Sequence, residues 1–306
     1  MKKLKIIRIV LSLTFLLLST ALFWGVAHRD AVWSEMYAGL QPMLALLCFN
    51  LGVLAFWLVI TFFYGRIYCS VMCPLGVFQD IVARLFNKFK LVRRYRYTPP
   101  LKMVGYVSLG VVCVCMICGI AVVPAMLDPN SIYGRMIVSV LNPSMGYFAT
   151  IPHIKIFSGV LGISVSVLTF IGVFVPSIAN GRMYCNSICP VGAMLGICST
   201  RAVYHIEINP DKCTACGKCE DVCKASCLDL SNLTVDMSRC VLCFNCIHEC
   251  PDNAISYTTV RSRPMTPLMQ RIKEKAMENK AKPAIDSMGK GNADKTLNSE
   301  NKKNLK

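Results

Sequence analysis

The sequence predicts a two-part architecture: a membrane α-helical domain of two parallel hairpin repeats, joined to a small α+β domain dense in cysteine. Three observations carry this. Four long stretches hold no charged residue, one twelve-residue motif occurs twice, and 18 cysteines gather in a few short runs. Only 16% of the 306 residues are charged and 54% are hydrophobic, whereas soluble domains average about 25% charged.

The uncharged stretches are residues 9–27, 40–64, 103–127 and 156–179. Each is long enough for a hydrocarbon core that takes about 20 apolar residues to cross. One Asp, Lys or Arg at a helix centre costs roughly 2.5–3.5 kcal/mol on the insertion scale, so four such stretches predict four transmembrane helices. The first follows Lys2, Lys3, Lys5 and Arg8. Its apolar run is longer than that of a signal peptide, which favours a retained anchor over cleavage after Ala27.

A net charge of +16 raises the question of a nucleic-acid partner. Its distribution answers otherwise. Arg66, Arg84, Lys88, Lys90, Arg93, Arg94, Arg96 and Lys102 lie between the second and third stretches, opposed only by Asp80. The other two connections are nearly balanced. This positive-inside pattern places both termini, the 66–102 loop and everything beyond residue 179 in the cytoplasm of a four-pass protein of the bacterial inner membrane. Membrane lipid, not nucleic acid, accounts for the basic residues.

GRIYCSVMCPLG at 65–76 returns as GRMYCNSICPVG at 181–192, each directly after an apolar stretch. Two hairpins of the same direction are related by a pseudo-twofold axis along the membrane normal. Pro74 and Pro190 suit the first turn of a helix. After Pro74, Val77, Phe78, Ile81, Val82, Leu85, Phe86 and Phe89 recur at helical spacing, which predicts a basic amphipathic helix on the inner leaflet. The corresponding domain limits are 1–100 and 101–203 for the two hairpins, 204–260 for the cysteine-rich domain and 261–306 for a disordered basic tail, with a short helix near 268–279.

CTACGKCEDVC at 213–223 and CVLCFNCIHECP at 240–251 each read C-x2-C-x2-C-x3-C, the run of bacterial [4Fe–4S] proteins. Three close thiolates wrap one cubane and the fourth reaches the other. Cys213, Cys216, Cys219 and Cys250 therefore form one ligand set, and Cys240, Cys243, Cys246 and Cys223 the other. A pair of zinc sites is the rival reading, and two complete tandem runs speak against it. Lys224 stands where the pattern expects a proline, and an extra Cys227 follows. Cys227 reads as a small buried residue more than as a substitute ligand.

The paired C-x3-C-P cysteines, Cys69 with Cys73 and Cys185 with Cys189, are less specific. Two readings stand side by side: packing where the chain leaves the bilayer, or a third redox or metal site where the four converge across the pseudo-twofold. Arg66 and Arg182 read either as supports for thiolates or as phospholipid anchors. Cys48, Cys113, Cys115 and Cys118 read as packing residues. His28, His153, His205 and His248 all fall outside the helix interiors, which argues against a bis-histidine haem.

These paired motifs on membrane hairpins, followed by a two-cluster ferredoxin-like module, resemble the NapH-like membrane polyferredoxins over about residues 1–260. That family includes the membrane components of quinol dehydrogenases and is related to the nitrous-oxide-reduction membrane regulator and to CcoG-type proteins. The resemblance implies electron transfer between the quinone pool and a partner redox protein, by a redox subunit more than by a stand-alone enzyme. An alternative of another class is a copper-reducing assembly factor using the C-x3-C-P cysteines, and a third is a redox-sensing regulator.

Overall fold

The computed structural model describes residues 2–23, 37, 39–48, 50–88, 95–99, 101–141 and 160–261. Phe89, Lys90, Arg93, Arg94, His28, His153 and the expected tail with its short helix lie outside the described residues.

The first apolar stretch forms α1 (Lys2–Phe23). Among the described residues, Lys3–Phe23 is the one helical span long and apolar enough to cross a membrane. The second stretch is not the single helix that its composition predicts. It divides into α2 (Pro42–Leu47) and α3 (Leu51–Tyr64), with Asn50 capping α3 by accepting a hydrogen bond from the Val53 amide at 3.3 Å. Trp57 donates its indole N–H to the Leu40 carbonyl at 2.8 Å. On a continuous helix those groups stand about 25 Å apart, so α2 folds back along α3. The motif that follows forms a short helix α4 (Tyr68–Val71) and then α5 (Pro74–Lys88).

The third stretch breaks in the same manner. Its long piece α6 (Lys102–Ile117) ends at a left-handed Gly119, φ 73°, and α7 (Val122–Leu127) turns back. Uninterrupted helices over 40–64 and 103–127 are thus replaced by helix–turn–helix pieces, because a polar cap and a left-handed glycine stop them. Next come α8 (Pro129–Leu141) and α9 (Val160–Asn180), the latter with Pro176 inside it. The second motif forms α10 (Met183–Ser187) and α11 (Pro190–Ser199).

Packing follows the repeat. α1 lies on α4 and α5 while α6 lies on α10 and α11; α3 crosses to α11 while α9 crosses to α5. Exchanging the two repeats maps each pair onto the other. The helix after Pro74 does not rest on a surface: α5 is enclosed by α1, α8 and α9, with Leu75, Val77, Gln79, Asp80, Val82 and Ala83 buried. Ile81 and Leu85 of the same apolar set are exposed. Cys48, Cys113 and Cys118, read as packing residues, are also exposed. Outward faces of α1, α3, α6 and α9 carry Leu17, Phe56, Val107 and Leu168 among other exposed apolar side chains.

The cysteine-rich domain is closed by β1 (His205–Ile208), antiparallel to the last strand with Ile208 opposite Ile255. That last strand is β4 (Ile255–Thr258), and between the two lie α12 (Lys218–Asp221), the short pair β2 (Leu228–Asp229) and β3 (Thr234–Val235), and α13 (Asn245–Glu249). This domain sits on the ends of α3 and α11. Val203 and Tyr204 donate backbone bonds to the Phe62 and Phe63 carbonyls at 2.9 and 2.8 Å, and Ser199 Oγ donates to the Met237 carbonyl at 2.8 Å.

Candidate iron–sulfur centres

Two cavities lie in the cysteine-rich domain. Cys213, Cys216, Cys219 and Cys250 line one, with Ile208 and Ile255 behind them. Cys223, Cys240, Cys243 and Cys246 line the other, joined by Cys227. The loops that supply them share a strained backbone. Ala215 and Gly217 in the first run have φ of 52° and 80°, and Leu242 and Phe244 at the same positions of the second have 52° and 58°. A left-handed non-glycine residue costs of order 1–3 kcal/mol and persists where surroundings enforce it. Ser226 and Asn253, three residues after Cys223 and Cys250, repeat this at 48° each. Such loops curl around a central body, and the donors fit cubanes.

Burial opposes ionisation at several of these thiols. It pushes Cys219 up to about 12 and Cys246 well above its ordinary value, so iron ligation must displace protons there. Cys227 is buried with its Sγ 3.6 Å from Cys223 Sγ. Its hydrogen bond draws the Cys223 thiol down to about 7, and Cys227 itself is pushed up. The first set is the more open one: Cys216 is exposed, while Cys223, Cys240 and Cys246 are buried.

Cys69, Cys73, Cys185 and Cys189 share one buried core, each 3–4% exposed. The motif explains why. Gly65 and Gly181 turn the chain at φ 85° and 62°, and a Cβ on Gly181 would stand 2.6 Å from the Lys224 carbonyl. A Cβ on Gly76 or Gly192 would collide with the carbonyl of Cys69 or Cys185 respectively. The arginines cross the pseudo-twofold: Arg66 Nη2 donates to the Cys185 carbonyl at 3.2 Å and Arg182 Nη1 to the Cys69 carbonyl at 2.6 Å. Each is at most 1% exposed, so neither is a phospholipid anchor. Tyr68 donates to Gln41 and Tyr184 to the Leu127 carbonyl at 2.9 Å, tying the folded-back segments to both motifs.

The two arginines differ in their compensation. Arg182 Nε pairs with Asp80 Oδ1 at 2.8 Å. Arg66 instead donates to the Ser238 carbonyl at 2.8 Å, Asn186 Oδ1 at 3.2 Å and Cys69 Sγ at 3.7 Å. Burial drives the thiols of Cys73 and Cys189 well up, and that of Cys185 to about 12 despite Arg182. A buried guanidinium beside neutral thiols is expensive; metal-bound thiolates would balance it. Among the described residues no three His, Cys, Asp or Glu side chains converge on a point for a single ion. Cubane ligands need no such point, since each binds its own iron.

Sequence reasoning missed the buried carboxylate that joins the two domains. Asp80 Oδ2 accepts from Arg8 Nη2 at 2.7 Å, and its Oδ1 faces Arg182 Nε and, at 3.6 Å, Lys224 Nζ. Burial alone would raise the Asp80 pKa, but Arg182, Lys224 and Arg8 outweigh it and hold it well below the usual range. One signal was available: Lys224 replaces the expected proline, and adjacent Gln79 and Asp80 interrupt a helix whose repeat counterpart has Leu195 and Gly196.

Comparison with known proteins gives a 4Fe-4S binding domain at residues 46–93 and 162–199, and a second 4Fe-4S binding domain at 204–225. The first match takes in all four C-x3-C-P cysteines. YccM of Escherichia coli (strain K12), provisionally named for electron transport, is 27% identical over 65% of this chain and 52% of its own. The ferredoxin-type protein NapH of the same organism is 27% identical over 66% of each. MauN of Paracoccus denitrificans (strain Pd 1222), a methylamine utilization ferredoxin-type protein, is 25% identical over 54% of this chain and 52% of its own. The chain thus spans between half and two thirds of these relatives' lengths. No solved structure matches it. With 4Fe-4S binding segments in both motif regions and in the cysteine-rich domain, and with ferredoxin-type relatives at 25–27% identity, the chain is similar to the NapH-like polyferredoxins.

Proposed function

We propose that this chain is a membrane-bound electron-transfer protein that passes electrons between the quinone pool and a partner redox protein. The observation that carries this is the lining of two cavities by two complete cysteine sets, Cys213, Cys216, Cys219 and Cys250, and Cys240, Cys243, Cys246 and Cys223. Bound [4Fe–4S] clusters there supply one-electron oxidation and reduction. The chain's own residues hold the thiolates in curled loops, exclude water from the second set, and press that set against the membrane domain: Val241 belongs to the same core as Cys69 and Cys185, and Cys243 packs on it. The buried charge of Arg66 and the 4Fe-4S match over both motifs support a third cluster at Cys69, Cys73, Cys185 and Cys189.

The exposed apolar faces of α1, α3, α6 and α9 support a four-pass membrane domain, since lipid removes that surface from water. Reporters fused after Ile151 are expected to read as external, and those after Lys90 and Val260 as cytoplasmic. A cytoplasmic reading at Ile151 overturns the four-pass topology.

Protein purified without oxygen is expected to hold about four irons per cysteine set, with the reduced-state EPR of interacting [4Fe–4S] centres. Cys246→Ser should damage the cluster of Cys240, Cys243 and Cys223 while that of Cys213, Cys216, Cys219 and Cys250 remains. Stoichiometric zinc without iron after anaerobic reconstitution would refute the reading.

A further inference from the structure

The two repeats are not equivalent at their cysteines. Arg66 reaches a sulfur of its own repeat, Cys69 Sγ, at 3.7 Å. Its counterpart Arg182 turns its Nε to Asp80 at 2.8 Å. Asp80 has no partner-repeat equivalent, because Gly196 stands in that place. Cys185 Sγ, the counterpart of Cys69 Sγ, lies 3.2 Å from Gln79 Oε1. Gln79 likewise has no equivalent, since Leu195 takes its position in the other repeat.

Gln79 is fully buried and its Nε2 has no hydrogen-bond partner. An amide half satisfied in an apolar core is costly. The present contact also needs Cys185 as a thiol, with S–H donating to the amide oxygen. A metal-bound thiolate cannot donate, so sulfur and amide oxygen would then repel. Rotating the amide by half a turn exchanges two groups of nearly equal shape and presents Nε2–H to the sulfur. The same rotation gives the orphaned N–H its partner. The rotation moves Oε1 to the place Nε2 leaves, so its net gain is an N–H facing the thiolate where an oxygen would repel it.

We propose that Gln79 is a positioning residue for the third cluster, donating Nε2–H to the iron-bound Cys185 thiolate and raising that cluster's reduction potential. The proposal rests on the third-cluster reading at Cys69, Cys73, Cys185 and Cys189. Hydrogen bonds to cluster sulfurs favour the more negative, reduced state, and they are one of the protein's levers on potential. The other repeat supplies a natural replacement: Gln79→Leu copies Leu195, and Gln79→Met keeps an unbranched shape if leucine does not fit.

The experiment is an EPR-monitored redox titration of the full chain, purified anaerobically in detergent, with iron counted first. Parent protein with about twelve irons holds three cubanes. In Gln79→Leu the third cluster should show a reduced-to-oxidised ratio about tenfold lower at fixed ambient potential, a shift of 59 mV for one electron. The clusters of the cysteine-rich domain should keep their potentials. Of the exchangeable-proton couplings to the third cluster that D2O removes in the parent, the one from Gln79 should be missing from the variant while those from Arg66 and the Gly192 amide remain. An unchanged potential and a full set of proton couplings in both variants overturn the role of Gln79 alone. A parent with about eight irons removes the third cluster itself, and this proposal with it.

Discussion

Replacing Cys69 and Cys189 together by alanine is expected to abolish menaquinol-driven reduction of the clusters in the cysteine-rich domain, while dithionite still reduces both. The two residues come from opposite repeats and meet in one core with Cys73 and Cys185. That core touches the second cysteine set through Val241 and Cys243. It is also where Arg66 spans from Cys69 Sγ to the Ser238 carbonyl, two residues before Cys240. Loss of two thiolates removes half the ligands of a third centre and leaves the Arg66 charge without compensation. A packing role predicts otherwise. Alanine is small and apolar, and a typical substitution costs about 1 kcal/mol, so the fold and quinol-driven reduction would survive. Quinol-driven rates equal to the parent's would leave these cysteines structural. Thiol-dependent stoichiometric copper binding, lost in the same variant, would move the protein to metal handling.

Asp80→Asn is expected to produce the largest loss of stability. The side chain keeps its shape and loses its charge, which leaves Arg8, Arg182 and Lys224 facing one another in a buried space. Removing one partner of a buried ion pair costs about 3–5 kcal/mol, so the midpoint of thermal unfolding in detergent should fall by roughly 10 °C. The pH dependence has a definite sign. Arg182, Lys224 and Arg8 overcome burial and depress the folded-state pKa of Asp80, below an unfolded value of about 3.9. Its stabilisation is therefore complete above that value and drains away as acid protonates the folded protein. The parent should lose its advantage over Asp80→Asn as pH falls below about 4. Equal midpoints at neutral pH would show that the carboxylate stabilises nothing.

Lys224 connects this node to the clusters. It follows Cys223 directly, and its backbone carbonyl accepts from the Arg182 amide at 3.1 Å. By spacing alone Lys224 is a missing proline and a loss of turn rigidity. In three dimensions the same residue is a buried cation that seats the second cysteine set on the helical domain. The difference arises because its partner Asp80 is 144 residues away, and no local pattern records such a pairing.

What the sequence by itself determined is short-range. C-x2-C-x2-C spacing sets which thiols one loop can present together. Gly65, Gly76, Gly181 and Gly192 mark turns and close approaches, and the repeat of twelve residues implies a pseudo-twofold. The limits of the cysteine-rich domain also follow from local texture, and β1 and β4 close it at 205 and 258. Tertiary structure alone decided the rest. It folded α2 back along α3 and α7 back from α6, buried α5, and paired Arg66 with a carbonyl 119 residues distant. The reason is physical. Hydropathy counts apolar residues without saying whether a helix is straight, and a buried charge or amide is tolerated only where distant groups satisfy it. Gln79 and Asp80, two polar residues on an apolar helix, became intelligible once Cys185, Arg182, Arg8 and Lys224 stood around them.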